Sequence, residues 1–390
     1  MKDSRTKIIR SSTVALSLDV LLKGQLKYLN QFYEVKALSG NDNHLRNVQK
    51  REGVEVIDLP MQRKISIVKD IRSLFQMYRT LKKEKPDIVH SMTPKAGLIT
   101  MLAAKLAGVP IRIHTFTGLI FPYSKGAMKK LLIAMDRLLC SSATHIYPEG
   151  EGVKKDLIEY KITKKPLNVL ANGNINGVDI HFFKPNTVSQ DTLQEVKEKY
   201  TIEDNDFIYC FVGRIGLEKG IDELIEAFNY LHNDNKQTKL LLVGALDDSE
   251  EINKIINQKI QLNPAIIHVG WQDNIKPFLS VSDCFVFPSH REGFPNVVLQ
   301  ACAMELPCIV TDISGSNEII RNGENGLVIP TKNPRALVES MNSLLCQPEL
   351  RKKFSQEARK CIEDKFEQTM VWEALKKEYD KLIEENSISK

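Results

Sequence analysis

The stretch FVGRIGLEKGIDELIEAF, residues 211–228, leaves an apolar run through a glycine and enters a helical pattern. The run, 207–213, reads as a short strand buried on both faces. Gly213 permits a tight exit, and a helix is expected over 220–231. Strand, turn and helix repeat downstream, with strands expected at 239–244, 266–270, 283–288 and 307–312. Helices are expected between and after them, at 250–258, 275–281, 296–304 and 334–345.

The first half follows the same scheme. Its strand candidates are 7–18, 33–39, 54–60, 87–91, 111–117, 144–148 and 167–170. Between them, 67–85 repeats apolar residues every three or four positions until Pro86 ends it, and 96–108 and 126–142 have similar character. Strands alternating with helices imply parallel sheets covered on both faces. The expected fold class is therefore α/β, with two doubly wound, Rossmann-like domains. The boundaries expected are 1–175 for the first domain, 176–205 for an Asn-, Gly- and Pro-rich linker, and 206–366 for the second domain. A last helix, 367–390, can pack back on the first domain.

A chain of 390 residues is too long for one ordinary core. With 42% hydrophobic and 26% charged residues it reads as soluble and globular. No apolar run approaches the roughly 20 residues that span a bilayer. The start is a poor secretory signal, because Arg10, Ser11, Ser12 and Thr13 interrupt its apolar stretch. Seven cysteines without a C-x-x-C pattern fit a reducing cytosol. Residues 1–180 carry 30 Lys+Arg against 16 Asp+Glu, and residues 181–390 carry 24 against 33. A basic half points to an anionic partner: nucleic acid, a phosphate-bearing molecule or a membrane surface. Solvation by lysines is the bland reading of the same charge.

In open α/β sheets ligands bind beyond the carboxyl ends of strands. At the end of the strand 207–213, Arg214 and Lys219 flank a loop that opens a helix. Two cations beside free helix N–H groups suit a diphosphate, although solvated surface cations read equally well from this stretch alone. The glycines do not match G-x-G-x-x-G. At the end of the strand 283–288 stands Glu292, followed by Gly293, Phe294, Pro295 and Asn296. An acceptor carboxylate beside a run of backbone N–H groups suits sugar hydroxyls, while a solvated loop acid is its bland reading. Gln300, one to two turns into the next helix, can bond a ribose diol without a charge. After the strand 307–312, Ser314 to Ser316 (around Gly315) offer further N–H groups, with Asn317 and Glu318 in the first turn. Glu318 taken singly reads as a helix cap. No metal is expected: Asp204–Asn205–Asp206 precedes a strand and reads as a turn, the histidines are dispersed, and no G-x-S-x-G occurs.

The set formed by FVGRIGLEKGIDELIEAF, LLLVG, VSDCFVFPSHREGFPNVVLQACAMELPCIVT and SGSNEIIRNGENGLVIP resembles glycosyltransferase family 4, retaining enzymes with two facing Rossmann-like domains, the GT-B fold. RKISIVKDIRSLFQMYRTLKKEKPDIVHSMTPKAGLITMLAAKLAGVPIRIHTFTGL, residues 63–119, looks like the bacterial members that build capsule, exopolysaccharide or O-antigen units. The resemblance covers nearly the whole chain. It implies an interdomain cleft, a nucleotide-sugar donor (UDP-linked by family leaning) that is a substrate rather than a cofactor, and no metal. By the same resemblance Arg214 and Lys219 hold the donor diphosphate and Glu292 the sugar hydroxyls. Gly213, Gly293, Phe294, Pro295, Asn296, Gln300, Gly315 and Glu318 complete the donor side. Gln300 stands where the family's second glutamate usually does. Retention is implied as front-face attack without an enzymic nucleophile.

The first domain would carry the acceptor side, with Thr117, Gly118 and Lys95. It departs from the family in having Thr117–Gly118 where a His-Gly is common and no glycine pair after its first strand. His114 reads as a core or rim histidine. A lipid-diphosphate or saccharide acceptor at the inner face of the cytoplasmic membrane fits the basic half, and 123–139 can lie on anionic lipid. The expected place is cytoplasmic, peripheral at that membrane. Alternatives of other kinds are a non-catalytic nucleotide-sugar-binding subunit, a nucleotide-sugar epimerase of the same shape, and a nucleic-acid binder. The last has no base-stacking motif behind it.

Overall fold

The computed structural model describes residues 5–62, 66–247 and 249–388. Arg63, Lys64 and Ile65, which open the quoted first-half motif, lie outside the described residues, as do residues 1–4, 248, 389 and 390. The chain divides into two units. One takes the residues up to Gly177 together with those from Gln368 onward; the other is Val178–Glu367.

The first unit holds six parallel strands: β1 (Lys7–Ser11), β2 (Glu34–Ser39), β3 (Glu55–Asp58), β4 (Ile88–Ser91), β5 (Ile111–Phe116) and β6 (His145–Pro148). Their order is β3-β2-β1-β4-β5-β6. The central strand β4 is buried at every residue, as a strand covered on both faces must be. Helix Pro94–Ala107 covers one face, with Ile67–Glu84 and Gly126–Ser142 packed on either side of it. The other face carries Ala15–Leu21 and Asn43–Glu52, and also the last helix, Gln368–Ile388. That helix buries Val371, Leu375, Tyr379 and Leu382, a stripe at three- and four-residue spacing. Each leucine so buried contributes about 1.5–3 kcal/mol relative to exposure.

Two strand expectations in this unit are corrected. The strand expected over 7–18 stops at Ser11, and Ala15–Leu21 is helix. Ser12 Oγ donates to the Val14 carbonyl at 2.7 Å and the Thr13 N–H to Thr93 Oγ1 at 2.8 Å, so side-chain bonds turn the chain where the ladder would otherwise continue. The run 167–170 forms no strand of the sheet; Leu167 makes a single bridge to Ile146.

The second unit is built the same way from β7 (Phe207–Val212), β8 (Thr238–Val243), β9 (Ile266–Gly270), β10 (Cys284–Phe287), β11 (Cys308–Thr311) and β12 (Gly326–Ile329). Their order is β12-β11-β10-β7-β8-β9. Strand β12 and the helix Pro348–Lys365 escape the sequence reading. Residues 178–205, read as linker, belong to this unit and carry the helix Gln190–Lys199, whose N-cap Ser189 accepts from the Thr192 N–H. Each sheet therefore has the doubly wound order, with its switch point between its first and fourth strands: β1 and β4 in one unit, β7 and β10 in the other. Among the described residues no helix is long and apolar enough to cross a membrane.

Candidate functional site

The exits of β7 and β10 leave the second sheet side by side. They approach so closely because residue 220 is glycine. Its φ is +69°, and a Cβ there would run into the Pro288 carbonyl oxygen. The contact sets Lys219, on the β7 exit, against Glu292, on the β10 exit. Lys219 Nζ stands 2.5 Å from Glu292 Oε1, and both side chains are largely sheltered, at 18% and 16% exposed. The same oxygen accepts from Ser289 Oγ at 2.9 Å.

A second ion cluster adjoins the first. Glu218 accepts from Arg291 through Nη2 at 2.7 Å and Nε at 3.2 Å, while its other oxygen pairs with Arg214. Arg214 also reaches Asp247 Oδ1 at 3.5 Å. Burial works against the Glu218 charge, but Arg291, Arg214 and Lys219 outweigh it and hold the carboxyl below its ordinary range. The Glu218 carbonyl also takes the His290 N–H at 2.9 Å, which ties the two loops at the backbone. Three cations and three carboxylates thus meet around the switch point, where an arriving diphosphate would compete for the cations.

Gly315 brings in the third loop. Its φ is +75°, and a Cβ there would meet the Gly293 carbonyl and, at 2.7 Å, the Phe294 Cα. Flanking it, the hydroxyls of Ser314 and Ser316 are buried and have no hydrogen-bond partner among the described residues. Buried hydroxyls without partners are costly, and a ligand's oxygens would satisfy them. Glu318 is engaged locally, accepting the Gly315 N–H at 3.2 Å. Phe294 is buried with its ring 5.5 Å from that of Phe366, so its contribution is packing and a backbone N–H. Pro295 is the N-cap residue of helix Asn296–Ala303. Gln300, half-buried on that helix, has no side-chain hydrogen bond among the described residues.

Arg214, Lys219, Glu292, Gly293 and Gly315 are brought together in this way. Glu218 and Arg291 are not singled out by the sequence reading, although each is the chain neighbour of a residue that is. The signal available was their charge; their roles come from cross-loop pairing, which linear spacing does not reveal. Thr117, Gly118 and Lys95 lie in the first unit. Thr117 Oγ1 donates to the Met92 carbonyl at 2.8 Å. Lys95 is buried and paired with Asp70 at 2.9 Å. His114 is a core residue: its Nδ1 bonds Ser91 Oγ at 2.8 Å, and burial pushes its pKa down to about 3. Among the described residues no cluster of three His, Cys, Asp or Glu side chains is arranged to hold a metal.

Residues 26–173 match the family model described as "Glycosyl transferase 4-like domain", and residues 193–361 match "Glycosyl transferases group 1". Over 382 residues the chain is 33% identical to the capsular polysaccharide biosynthesis glycosyltransferase CapM of Staphylococcus aureus, covering 97% of this chain and 98% of CapM. It is 31% identical over 284 residues to the UDP-Gal:alpha-D-GlcNAc-diphosphoundecaprenol alpha-1,3-galactosyltransferase of Escherichia coli, 72% and 71% of the two chains. The crystal structure of Anabaena HepE in complex with UDP and glucose superposes with a TM-score of 0.83 at 15% identity, over 96% of this chain and 100% of HepE. That last likeness concerns the fold.

Proposed function

The chain belongs to the group 1 glycosyl transferases, and on that premise we propose a retaining, metal-independent enzyme that takes a sugar from a UDP-linked donor. The observation that carries this reading is the Lys219–Glu292 pair at the β7–β10 switch point. A cation suited to a diphosphate and a carboxylate suited to sugar hydroxyls stand at the two ends of one charge pair. The donor spans them, with its leaving group on Lys219 and Arg214 and its sugar hydroxyls on Glu292.

In the reaction the bond from the anomeric carbon to the diphosphate oxygen breaks. The acceptor hydroxyl forms the new bond from the same face, and its proton passes to the departing phosphate oxygen. The cations stabilise charge developing on that oxygen, a task a metal performs in other transferases. Gln300 offers its free amide to the ribose diol. The backbone around Gly293, Asn296 and Gly315 and the unpartnered hydroxyls of Ser314 and Ser316 offer further bonds. The nucleotide sugar is consumed, so no cofactor is required. The UDP leaning is supported by the donor named for the Escherichia coli relative. An unpaired binding subunit would leave donor hydrolysis unchanged over background.

The acceptor proposed is a lipid diphosphate, the class named for the same relative. The first unit supports it with two helices rich in cations and exposed apolar side chains. Ile67–Glu84 exposes Ile67, Val68, Ile71 and Phe75, each more than half exposed, beside Lys69, Arg72 and Arg79. Gly126–Ser142 exposes Met128 and Leu131 beside Lys130. Apolar residues rimmed by cations suit the surface of an anionic bilayer. The protein is expected to sediment with phosphatidylglycerol vesicles and to release them as salt rises. The double substitution V68D/I71D should lower the bound fraction about tenfold, since each aspartate removes apolar contact and adds repulsion. Equal sedimentation of the variant would remove this surface from the account.

The direct test supplies UDP-sugars and a polyprenyl-diphosphate sugar acceptor in excess EDTA. The product is expected with the donor's α configuration, read from the anomeric proton coupling. A β product would refute retention, and arrest by EDTA would refute metal independence.

A further inference from the structure

Four polar side chains interrupt the apolar layer between the first sheet and the last helix. Strand register places Arg10 of β1 beside His90 of β4, across that sheet's switch point, and Thr115 of β5 beside Tyr147 of β6. All four line one cavity of about 30 Å³, with Leu170, Val371 and Leu375 on its apolar walls.

Arg10 is 2% exposed. Its Nη1 donates to Gln25 Oε1 and to the Tyr379 hydroxyl, both at 3.0 Å. Its Nε is buried and donates to no group among the described residues. Among the described residues no carboxylate pairs with the guanidinium. Glu149, 6% exposed, also stands on the cavity wall, but no ion pair among the described residues joins it to the guanidinium. The neighbours are not counter-ions either. His90 bonds Tyr379 through Nδ1 and Thr115 through Nε2, both at 2.7 Å. Burial, with Arg10 and then His114 nearby, holds His90 neutral. Gln25 is locked in place by donating Nε2 to the Ile175 carbonyl at 2.7 Å.

A buried cation without a counter-charge is strongly disfavoured. The idle side of this guanidinium is the edge formed by Nε and Nη2, whose parallel N–H bonds match the two oxygens of a carboxylate or phosphate. The bonds to Gln25 and Tyr379 fix the fork's direction. The cavity is two to three times the roughly 10–15 Å³ that one water needs, which is room for one small oxyanion.

We propose that this cavity binds a small free oxyanion, carboxylate or phosphate in kind, on the Nε/Nη2 edge of Arg10. The site lies in the first unit and stands whether or not the donor reading holds. Its occupant neutralises the strand pair at the switch point and locks the last helix to the sheet through Tyr379.

The test soaks crystals of the whole chain in selenate and titrates the protein in solution with inorganic phosphate and with acetate in chloride-free buffer. An anomalous peak within hydrogen-bond distance of Arg10 Nε is expected. A saturable rise in melting midpoint should accompany it, with affinity about tenfold weaker in Arg10→Lys, which keeps the charge and loses the fork. Phosphate held by the donor loops survives that substitution, so only the lost response belongs to this cavity. If Arg10→Met fails to fold, the wild-type crystal and Arg10→Lys still decide. Ordered waters alone in the cavity, or an anion response equal in wild type and Arg10→Lys, would overturn the proposal.

Discussion

Glu292→Ala is expected to lower kcat/KM by about 10³-fold and to leave the fold intact. The carboxylate stands at the end of β10, in a loop fixed from both sides by Gly220 and Gly315, so its position is set by backbone packing and not by its own charge. Removing it strands Lys219, but that side chain keeps 18% exposure and water can take the place of the lost partner. The pair is sheltered rather than exposed, so its loss should cost about 1–3 kcal/mol, and the melting midpoint should fall by several degrees while the fold persists. The loss falls on sugar placement: without an acceptor for the donor's hydroxyls, the anomeric carbon is no longer held against the acceptor hydroxyl on the leaving group's face. Glu292→Gln keeps one acceptor oxygen and should recover part of the rate. Product formation at saturating donor, with circular dichroism melts alongside, reads both quantities. Turnover of Glu292→Ala at the wild-type level would strip this residue of its assigned role.

Much of this architecture was legible because parallel strands advertise themselves. The runs ending at Val212, Val243, Phe287 and Thr311 are short, apolar and followed by helices, and these became β7, β8, β10 and β11. Edges and boundaries were less legible. Strand β12 has only Gly326–Ile329 within a run of turn residues, and its identity as a strand comes from the ladder it makes with β11, a tertiary fact. The stretch after Ser11 is apolar enough for strand or helix, and only the bonds of Ser12 and Thr13 decide. At the site, the exits of β7 and β10 could be placed from sequence by the strand-end rule. That Glu218 joins Arg214 to Arg291 depends on β7 and β10 being neighbours, and no residue spacing encodes that. Arg10 was legible only as a break in an apolar run; its burial against Tyr379 joins residues more than 350 positions apart.

Lys219→Ala and Arg214→Ala should separate binding from chemistry at the same loops. Lys219 is sheltered and Arg214 is 44% exposed, so the lysine meets the diphosphate in the drier surroundings and its charge is worth more. Calorimetry with UDP is expected to show affinity falling at least about tenfold for Lys219→Ala, or 1.4 kcal/mol, and less for Arg214→Ala, whose role Arg291 can partly fill from the other side of Glu218. Turnover should fall further than affinity, by about 10²-fold for Lys219→Ala, because the leaving phosphate gains charge as the bond breaks. Glu292→Ala makes the informative control. In the free protein Glu292 holds Lys219, so donor entry must displace a carboxylate; deleting it should leave UDP binding unchanged or a few-fold tighter while turnover collapses. The two substitutions combined should then cost less in turnover than the product of their separate losses, since each removes half of one arrangement. Unaltered UDP affinity in both cation variants would mean the diphosphate lies elsewhere, and Glu292 would then have to be explained without a donor beside it.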